Sequence, residues 1–365
     1  NEEIEFEKLK QAIKHVYKKH DNFKLRFKID EGEIVQTISN NDNCEIKIIE
    51  VQSEEEFREK REKIAREPFK IEEEPLAKFY IFTFPNGKGA FVPIMHHLIS
   101  DAWTIALIYN EIIETYSAIK QNKTIESKEE YSYIDYINTE KEYKNSEKFK
   151  KDKQYWDEKF KTIPDIAVIT GSIKGNIDRS NPTGERNQYT IEKEKMEKIK
   201  EYCKTNKISL YNFFMAVYAI YIGEISNLDE FVIGTPILNR TNYKEKNTAG
   251  MFVNMAPLKI NIDEEIEFKQ FVKNIAIDSM GMLKHQKYSY QYILEDLRER
   301  DKNIPSLYNI LLSYQITNTT QNSSGVEYKT EWNFNGCCAE DIDIQIFDLN
   351  DTGELNISYD YKTSV

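Results

Sequence analysis

The sequence predicts an α/β fold with mixed sheets, because helical and strand patterns alternate along the whole chain. Leu9, Ala12, Ile13 and Val16 recur at helical spacing near the start, and short alternating stretches follow them. The same mixture returns in the second half. With 365 residues, of which 40% are hydrophobic, the chain is long enough for about two domains and a sizeable core.

Composition argues against several classes of function. Sixty-two acidic residues against 50 basic ones give a net charge of −12. This is the wrong sign for binding nucleic acid or an anionic membrane, where neutralisation of phosphates supplies most of the affinity. The most apolar run, residues 210–223, is shorter than the roughly 20 residues that span a bilayer, so we expect a buried helix there.

The four cysteines, Cys44, Cys203, Cys337 and Cys338, occur in no spacing that binds zinc. So few cysteines in a chain of this length are typical of a reduced, cytoplasmic protein. The sequence begins with Asn1 instead of an initiator methionine, directly inside a helical pattern, and we therefore expect a piece of something larger.

Local signals define the elements of the first half. A helix is predicted over 4–20, and Ser53 with Glu56 forms a capping box that opens a second helix. Strands 77–84 and 90–95 flank a glycine-rich turn at 85–89, which indicates a hairpin; a phosphate-binding loop would be followed directly by a helix. The other predicted elements are strands 23–29, 34–38 and 44–51, a helix from 103 to 119 and a lysine-rich, solvated helix with one aromatic stripe over 140–161.

A glycine- and proline-rich stretch at 163–187 is the best linker, which divides the chain into domains 1–162 and 163–365. In the second domain Ser209 is the predicted N-cap of the apolar helix. Asp341 and Asp343 alternate with isoleucines, which indicates the solvated face of a strand and not a metal pair. The other predicted elements are helices 192–206, 266–284 and 290–300, and strands 188–191, 230–234, 257–262, 308–314, 326–332, 341–349 and 354–361.

The strongest candidate for chemistry is the segment 95–104 (MHHLISDAWT), which lies between a strand and a helix. His96 and His97 are adjacent, so on an extended backbone they would point to opposite faces. Asp101, at the helix entrance, can cap the first turn and pair with a cation. Three explanations remain open from the residues alone: a packed histidine pair, a metal site, or acid–base chemistry by an imidazole.

This segment resembles the HHxxxDG motif of the condensation domains of nonribosomal peptide synthetases, in the chloramphenicol-acetyltransferase-like superfamily. Five further segments resemble the family's motifs in the family's order. They are 19–27 for RHExLRTxF, 133–136 for YxDY, 233–240 for IGxPVNxR, 250–254 for GxFVN and 285–290 for HQxYPF.

The resemblance implies two acetyltransferase-like lobes in a V with a tunnel between them. It makes His97 the catalytic residue facing that tunnel, His96 a buried residue and Asp101 a structural one. It places the cationic partner of Asp101 at Lys24, with Arg26 close by. Ala102 stands where the family has glycine and adds one methyl group.

Further positions follow from the resemblance with less support from the residues themselves. Trp103, Arg240, Asn254 and Ser313 would line the tunnel or position substrate. Without the resemblance, 234–240 is a strand end with a turn, and 133–136 an aromatic helix face. His285 with Gln286 is expected to fix a loop. No metal ion is expected.

The implied reaction is attack of a carrier-bound aminoacyl amine on an upstream acyl or peptidyl thioester. The substrates would arrive on the 4′-phosphopantetheine of donor and acceptor peptidyl carrier proteins, with neighbouring adenylation and carrier domains in a larger synthetase. The domain itself would bind no cofactor. A thioester is already an activated acyl donor, and no serine elbow or candidate cysteine nucleophile is visible.

Three alternatives remain. Epimerising relatives carry a related motif that is usually followed by Ser-Trp, whereas Trp103-Thr104 here favours condensation. A freestanding or variant acyltransferase would use the same fold to make an ester or an amide. A degenerate, non-catalytic docking domain for carriers or other partners would explain the departures at Ala102 and Lys24.

Overall fold

The structure is a computed structural model whose elements confirm the mixed α/β class. The residues that it describes are 4–40, 43–72, 74–125, 131–169, 181–316, 330–348 and 353–364. The helices are α1 (Phe6–Lys19), α2 (Glu54–Ala65), α3 (Ala102–Lys120), α4 (Tyr133–Lys144), α5 (Glu147–Lys159), α6 (Lys193–Asn206), α7 (Leu210–Ser226), α8 (Tyr243–Lys246), α9 (Phe268–Lys284) and α10 (Tyr290–Arg300). The strands are β1 (Leu25–Asp30), β2 (Glu33–Ile38), β3 (Ile46–Glu50), β4 (Ala77–Thr83), β5 (Gly89–Met95), β6 (Gly184–Ile191), β7 (Glu230–Ile237), β8 (Asn254–Asn261), β9 (Ile310–Ile316), β10 (Ile342–Asp348) and β11 (Leu355–Lys362).

The described strands pair into three sheets. The largest has the order β6-β11-β10-β9-β7-β8, in which β9 runs parallel to both of its neighbours and the other pairs are antiparallel. A second sheet has the order β3-β4-β5, with β3 parallel to β4 and the predicted β4–β5 hairpin antiparallel. Strands β1 and β2 form a separate hairpin.

Two compact units divide the chain, and they differ from the predicted domains 1–162 and 163–365. The first unit consists of the described residues of Asn1–Glu142, Arg240–Phe252 and Thr319–Asn335. The second consists of those of Tyr143–Asn239, Val253–Asn318 and Gly336–Val365. One reason for the difference is that Trp156 and Phe160, which precede the predicted linker, are buried in the core of the second unit.

The prediction of a single helix over 140–161 is wrong. The segment contains the end of α4 and the whole of α5, because the hydroxyl of Ser146 accepts the N–H of Phe149 and starts a new helix. The predicted aromatic stripe lies on a buried face of α5, where Trp156 is 3% exposed and the side chain of Asp152 is fully covered.

Other local predictions can be compared directly. Ser53 caps α2 by accepting the N–H of Glu56, and Ser209 caps α7 by accepting that of Asn212, which confirms both caps. Of the predicted linker, residues 170–180 lie outside the described part, and β6 already begins at Gly184. Of the predicted strand 326–332, residues 326–329 lie outside it, and the remaining three are not in a strand.

The apolar helix α7 buries only one of its faces. Val217 and Tyr221 are 40% and 61% exposed, although the opposite face contributes to the core. Among the described residues, no single helix has the length and apolarity to cross a membrane. The pair α6 and α7, bent by 105°, reaches those limits only when the two are counted together.

The prediction that Asp341 and Asp343 form a solvated face is wrong, since Asp341 is buried and Asp343 half-buried. Asp343 on β10 lies directly opposite Asp360 on β11. Arg186 on β6 binds Asp360 through Nε and Nη2 at 2.6 and 2.7 Å. Burial, together with the negative charge of Asp360, raises the pKa of Asp343 to about 6.

We expect Asp343 to lower stability at neutral pH. Its pKa is higher in the folded than in the unfolded chain, so the folded state binds the extra proton and stability falls as the pH rises from about 4 to about 6. Asp343→Asn should therefore increase the free energy of unfolding at pH 7 by up to about 3 kcal/mol and leave it unchanged near pH 4. Urea denaturation at both pH values measures this. The exposed Asp229→Asn is the control, and an equal effect of both variants would contradict the prediction.

Candidate active site

The two adjacent histidines lie in a short turn directly after β5. The turn begins where the backbone N–H of His96 donates to the carbonyl of Leu76 at 2.8 Å. The ring of His96 is half-buried and meets the ring of Phe69 edge-on at 5.6 Å, whereas His97 is exposed. The two side chains therefore occupy different environments, as expected, although His96 is less buried than the resemblance implies.

The hydrogen bonds of the two imidazoles assign them opposite tautomers. The Nδ1 of His96 accepts the backbone N–H of Leu98 at 3.1 Å, so the neutral ring carries its proton on Nε2. The Nδ1 of His97 lies 3.3 Å from the Sδ of Met251, which can only accept. In its neutral form, the ring of His97 therefore carries its proton on Nδ1 and keeps a lone pair on Nε2. Burial, and secondarily His97, lowers the pKa of His96.

Asp101 ends this turn and begins the next helix. Its backbone is extended, and its Oδ1 accepts the N–H of Thr104 at 2.8 Å, which is the geometry of an N-cap. Its Oδ2 accepts the N–H of Phe252 at 3.0 Å. One buried carboxylate therefore binds the helix that follows the histidines and a second segment far along the chain.

The cation that pairs with Asp101 is Arg240, which corrects the expected pairing at Lys24. The Nη2 of Arg240 lies 3.0 and 3.1 Å from the two carboxylate oxygens and 2.8 Å from Oγ1 of Thr104. Its guanidinium also lies 3.8 Å from the centroid of the Phe252 ring. Arg240 also donates from Nη1 to the carbonyls of Glu245 and Thr248 and from Nη2 to that of Gly250, while its buried Nε has no hydrogen-bond partner in the described part of the chain.

Arg240 and Asp101 are both buried, at 4% and 3% exposure, so each charge depends on the other for its compensation. Burial lowers the pKa of Arg240, while the neighbouring carboxylate opposes that change. The contacts make Arg240 a structural residue of the histidine turn and leave its guanidinium covered.

Residues 250–252 complete the surroundings of His97. The N–H of Gly250 donates to Oγ1 of Thr104 at 3.0 Å, and the hydroxyl of Tyr133 donates to the carbonyl of Met251 at 2.6 Å. A Cβ on Gly250 would lie 2.1 Å from the Tyr133 ring, so only glycine fits there. Tyr136 packs on Phe252 with ring centroids 4.0 Å apart. The YxDY and GxFVN segments therefore meet in the first unit.

The segment 19–27 contacts both the histidine turn and helix α3. Asn22, which is fully buried, donates from Nδ2 to the carbonyl of Ile99 at 3.0 Å. His20 and Lys19 both contact Glu111 on α3, at 2.7 and 2.9 Å. Burial would raise the pKa of Glu111, but its interactions with His20 and Lys19 outweigh burial and lower the pKa to about 2. The segment therefore serves to hold the turn against α3.

The remaining predicted residues of this segment and of the helix entrance lie as follows. Lys24 is half-buried at the end of a short 3-10 helix, and Arg26 donates from Nη1 to the carbonyls of Phe23 and Leu25 at 3.0 and 2.7 Å. Ala102 takes the first position of α3, where the backbone is helical and alanine is well suited. Trp103 is 40% exposed and donates from Nε1 to the carbonyl of Lys246 at 2.8 Å.

Asn254 and Ser313 belong to the second unit. The side chain of Asn254 donates to the carbonyls of Gln286 and Tyr288 at 2.9 and 3.2 Å, and it accepts the N–H of Tyr290 at 3.3 Å. Its amide is therefore engaged in holding the HQxYPF segment. Ser313 on β9 is 5% exposed, and its hydroxyl has no hydrogen-bond partner in the described part of the chain.

His285 also has a structural environment in that unit. Its Nδ1 lies 2.6 Å from the buried carboxylate of Asp152, and its ring stacks on Tyr155 at 4.0 Å. Lys148 and Tyr143 contact the same carboxylate at 2.5 and 2.7 Å. These contacts fix the loop, as the sequence predicts.

Sequence reasoning missed Glu111, Asn22 and the contact between Met251 and His97. Each is a partner more than 70 residues away from the group that it supports. Within the described residues, no group of three or more histidine, cysteine, aspartate or glutamate side chains is arranged to hold a metal ion. The ring of the exposed His97 can accept or donate one proton at Nε2.

Comparison with solved structures defines the class of fold. The condensation domain of the monacolin K polyketide synthase superposes with a TM-score of 0.83 at 17% identity, covering 100% of this chain and 85% of that one. The first condensation domain of the calcium-dependent antibiotic synthetase, in complex with a substrate analogue, gives 0.82 at 17% identity, covering 100% and 84%. The chain therefore has the fold of condensation domains.

Sequence comparison then gives the family. The model of the condensation domain matches residues 1–365, so the chain belongs to the condensation domain family, whose general function is peptide-bond formation. Surfactin synthase subunit 1 of Bacillus subtilis is 32% identical over 99% of this chain, and a plipastatin synthase from the same organism is 26% identical over 99%. The chain spans only 10% and 14% of those two proteins.

We expect the ion pair between Asp101 and Arg240 to be essential for the first unit. Arg240→Ala leaves the carboxylate buried without compensation and should reduce the free energy of unfolding by about 3–5 kcal/mol. Urea denaturation measures the effect. In the double variant Asp101→Asn/Arg240→Met no charge is left behind, so its loss of stability should be smaller than the sum of the losses in the single variants Asp101→Asn and Arg240→Met.

Lys28→Ala is the control for that experiment, because Lys28 and Asp30 form an ion pair in the same unit with both side chains more than half exposed. Its loss should stay below about 1 kcal/mol. If Lys28→Ala and Arg240→Ala reduced the free energy of unfolding equally, the buried ion pair would stabilise the unit no more than an exposed one, which would contradict the prediction.

Proposed function

We propose that this chain is a catalytically active condensation domain that forms an amide bond between two carrier-bound substrates. The observation that carries the proposal is the exposed imidazole of His97, which donates from Nδ1 to Met251 and retains a lone pair on Nε2. The family's general function and the relatives in peptide synthases support it.

The proposed step needs little more than a proton acceptor and a defined geometry. The amine lone pair of the acceptor attacks the carbonyl carbon of the donor thioester, and Nε2 of His97 accepts or hydrogen-bonds an amine proton as the tetrahedral species forms. The C–S bond then breaks, and the proton passes to the departing thiolate. Positioning of the two tethered substrates supplies much of the rate, because a free amine is itself a good nucleophile.

The supporting residues favour activity over docking alone. Ala102 occupies a helical position that any L-residue adopts, so the missing glycine imposes no strain on the turn. Arg240 supplies the cation for Asp101, so the lysine at position 24 does not deprive that carboxylate of a partner. Both departures from the family pattern therefore leave the histidine turn intact.

The partners of this reaction are donor and acceptor peptidyl carrier proteins, whose 4′-phosphopantetheine arms bring the substrates. We further propose adenylation and carrier domains as neighbours in a larger cytoplasmic synthetase, as the relatives in surfactin and plipastatin synthases support. The tunnel between two lobes and a positioning role for Ser313 stay predictions.

His97→Ala should reduce the rate of amide formation by at least about 100-fold, the range of a lost general base. The acceptor is a carrier protein loaded with leucine, and the donor carrier is loaded in turn with acetyl, octanoyl and N-acetyl-leucyl thioesters. Mass spectrometry of the carrier-bound product measures turnover. Unchanged turnover in His97→Ala would refute the catalytic role.

His15→Ala is the matched control, because His15 is another exposed histidine of the first unit, on α1. It should leave turnover unchanged. An alcohol-bearing acceptor tests the alternative reaction, and ester formation in place of amide formation would indicate a variant acyltransferase. Carrier binding without product from any donor would indicate a docking domain.

A further inference from the structure

We propose that the thioether of Met251 selects the tautomer of His97 and orients its ring, and so acts as a positioning residue for the reaction proposed above, on which this inference rests. The contact joins Nδ1 of His97 to Sδ of Met251 over 3.3 Å. In this role the side chain of Met251 acts through His97 and does not itself contact the substrate.

The direction of this hydrogen bond follows from the chemistry of its two atoms. A thioether sulfur carries no proton and can only accept, so the imidazole must donate. A neutral imidazole has a single N–H, and donating it from Nδ1 leaves the lone pair on Nε2. The tautomer required of a base that acts through Nε2 is therefore the one that Met251 stabilises.

The turn itself does not impose this tautomer. His96, the adjacent residue in the same turn, has the opposite arrangement, because its Nδ1 accepts the N–H of Leu98. His97 is exposed, and an exposed imidazole in water exchanges readily between its two neutral tautomers. A specific acceptor beside Nδ1 is the feature that distinguishes His97.

The backbone on either side of Met251 is held in place, which gives the sulfur a defined position. Phe252 donates its N–H to Asp101, and the carbonyl of Met251 accepts the hydroxyl of Tyr133. On the other side Gly250 is bound to Thr104 and pressed against the Tyr133 ring. The carboxylate that caps the helix after His97 thus also fixes the residue that contacts its ring.

Two substitutions separate hydrogen bonding from packing. Met251→Leu keeps an apolar side chain of similar volume but removes the acceptor, whereas Met251→Gln restores an acceptor as an amide oxygen. If Met251 positions His97, the turnover number should fall about three- to tenfold in Met251→Leu and recover in Met251→Gln. If Met251 only fills space, leucine should be the better replacement.

Nitrogen-15 NMR of the histidine-labelled chain gives a readout that does not depend on turnover. The wild type should show a protonated Nδ1 and an unprotonated Nε2 for His97, and Met251→Leu should shift this ring toward the other tautomer. Met280→Leu, at a methionine that is 63% exposed in the second unit, should change neither readout. Circular dichroism and thermal melting verify that each variant is folded.

The outcomes separate this inference from the proposed function. An unchanged tautomer in Met251→Leu, or glutamine performing worse than leucine, would overturn the role of Met251 even if His97→Ala is inactive. A wild type that makes no product from any donor would refute the proposed function, while a tautomer that still depends on Met251 would uphold the positioning of the ring.

Discussion

The buried ion pair between Asp101 and Arg240 is the interaction on which the rest of the first unit depends. Two charges taken out of water need each other and further hydrogen bonds for compensation, and among the described residues only Nε of Arg240 lacks such a partner in this pair. Asp101 accepts two backbone N–H groups in addition to the guanidinium, and Arg240 donates to a hydroxyl and three carbonyls. The pair fixes α3, the histidine turn and the segment 240–252 in one arrangement.

Much of the fold could be predicted because its signals are local. Ser53, Ser209 and Asp101 each lie directly before a helix and cap it through the N–H three residues on. The β4–β5 hairpin follows in the same way from two alternating stretches around a glycine-rich turn. The histidine turn could be located for the same reason, since its motif is contiguous in the sequence.

The remainder could not be predicted because it depends on partners that are distant in sequence. Nothing in the spacing around Asp101 points to Arg240, 139 residues away, and the resemblance to the family placed the cation at Lys24 instead. Met251 and His97 are likewise 154 residues apart. Alternation gave the wrong environment for Asp343 for a related reason, because the neighbouring strand β11 places Asp360 beside it and Arg186 of β6 binds Asp360, and a single strand shows neither contact.

The placement of 240–252 has a consequence for how the protein is made. Ala249 and Phe252 belong to the core of the first unit, yet they follow residue 142 by about 100 residues in the order of synthesis. At ~5–20 residues per second, a ribosome needs on the order of 5–20 s to deliver them. During that interval Asp101 of the nascent chain has no Arg240 to pair with, and Tyr136 has no Phe252 ring to pack on. The part of the first unit within residues 1–142 therefore lacks the core residues Ala249 and Phe252 until translation has passed residue 252.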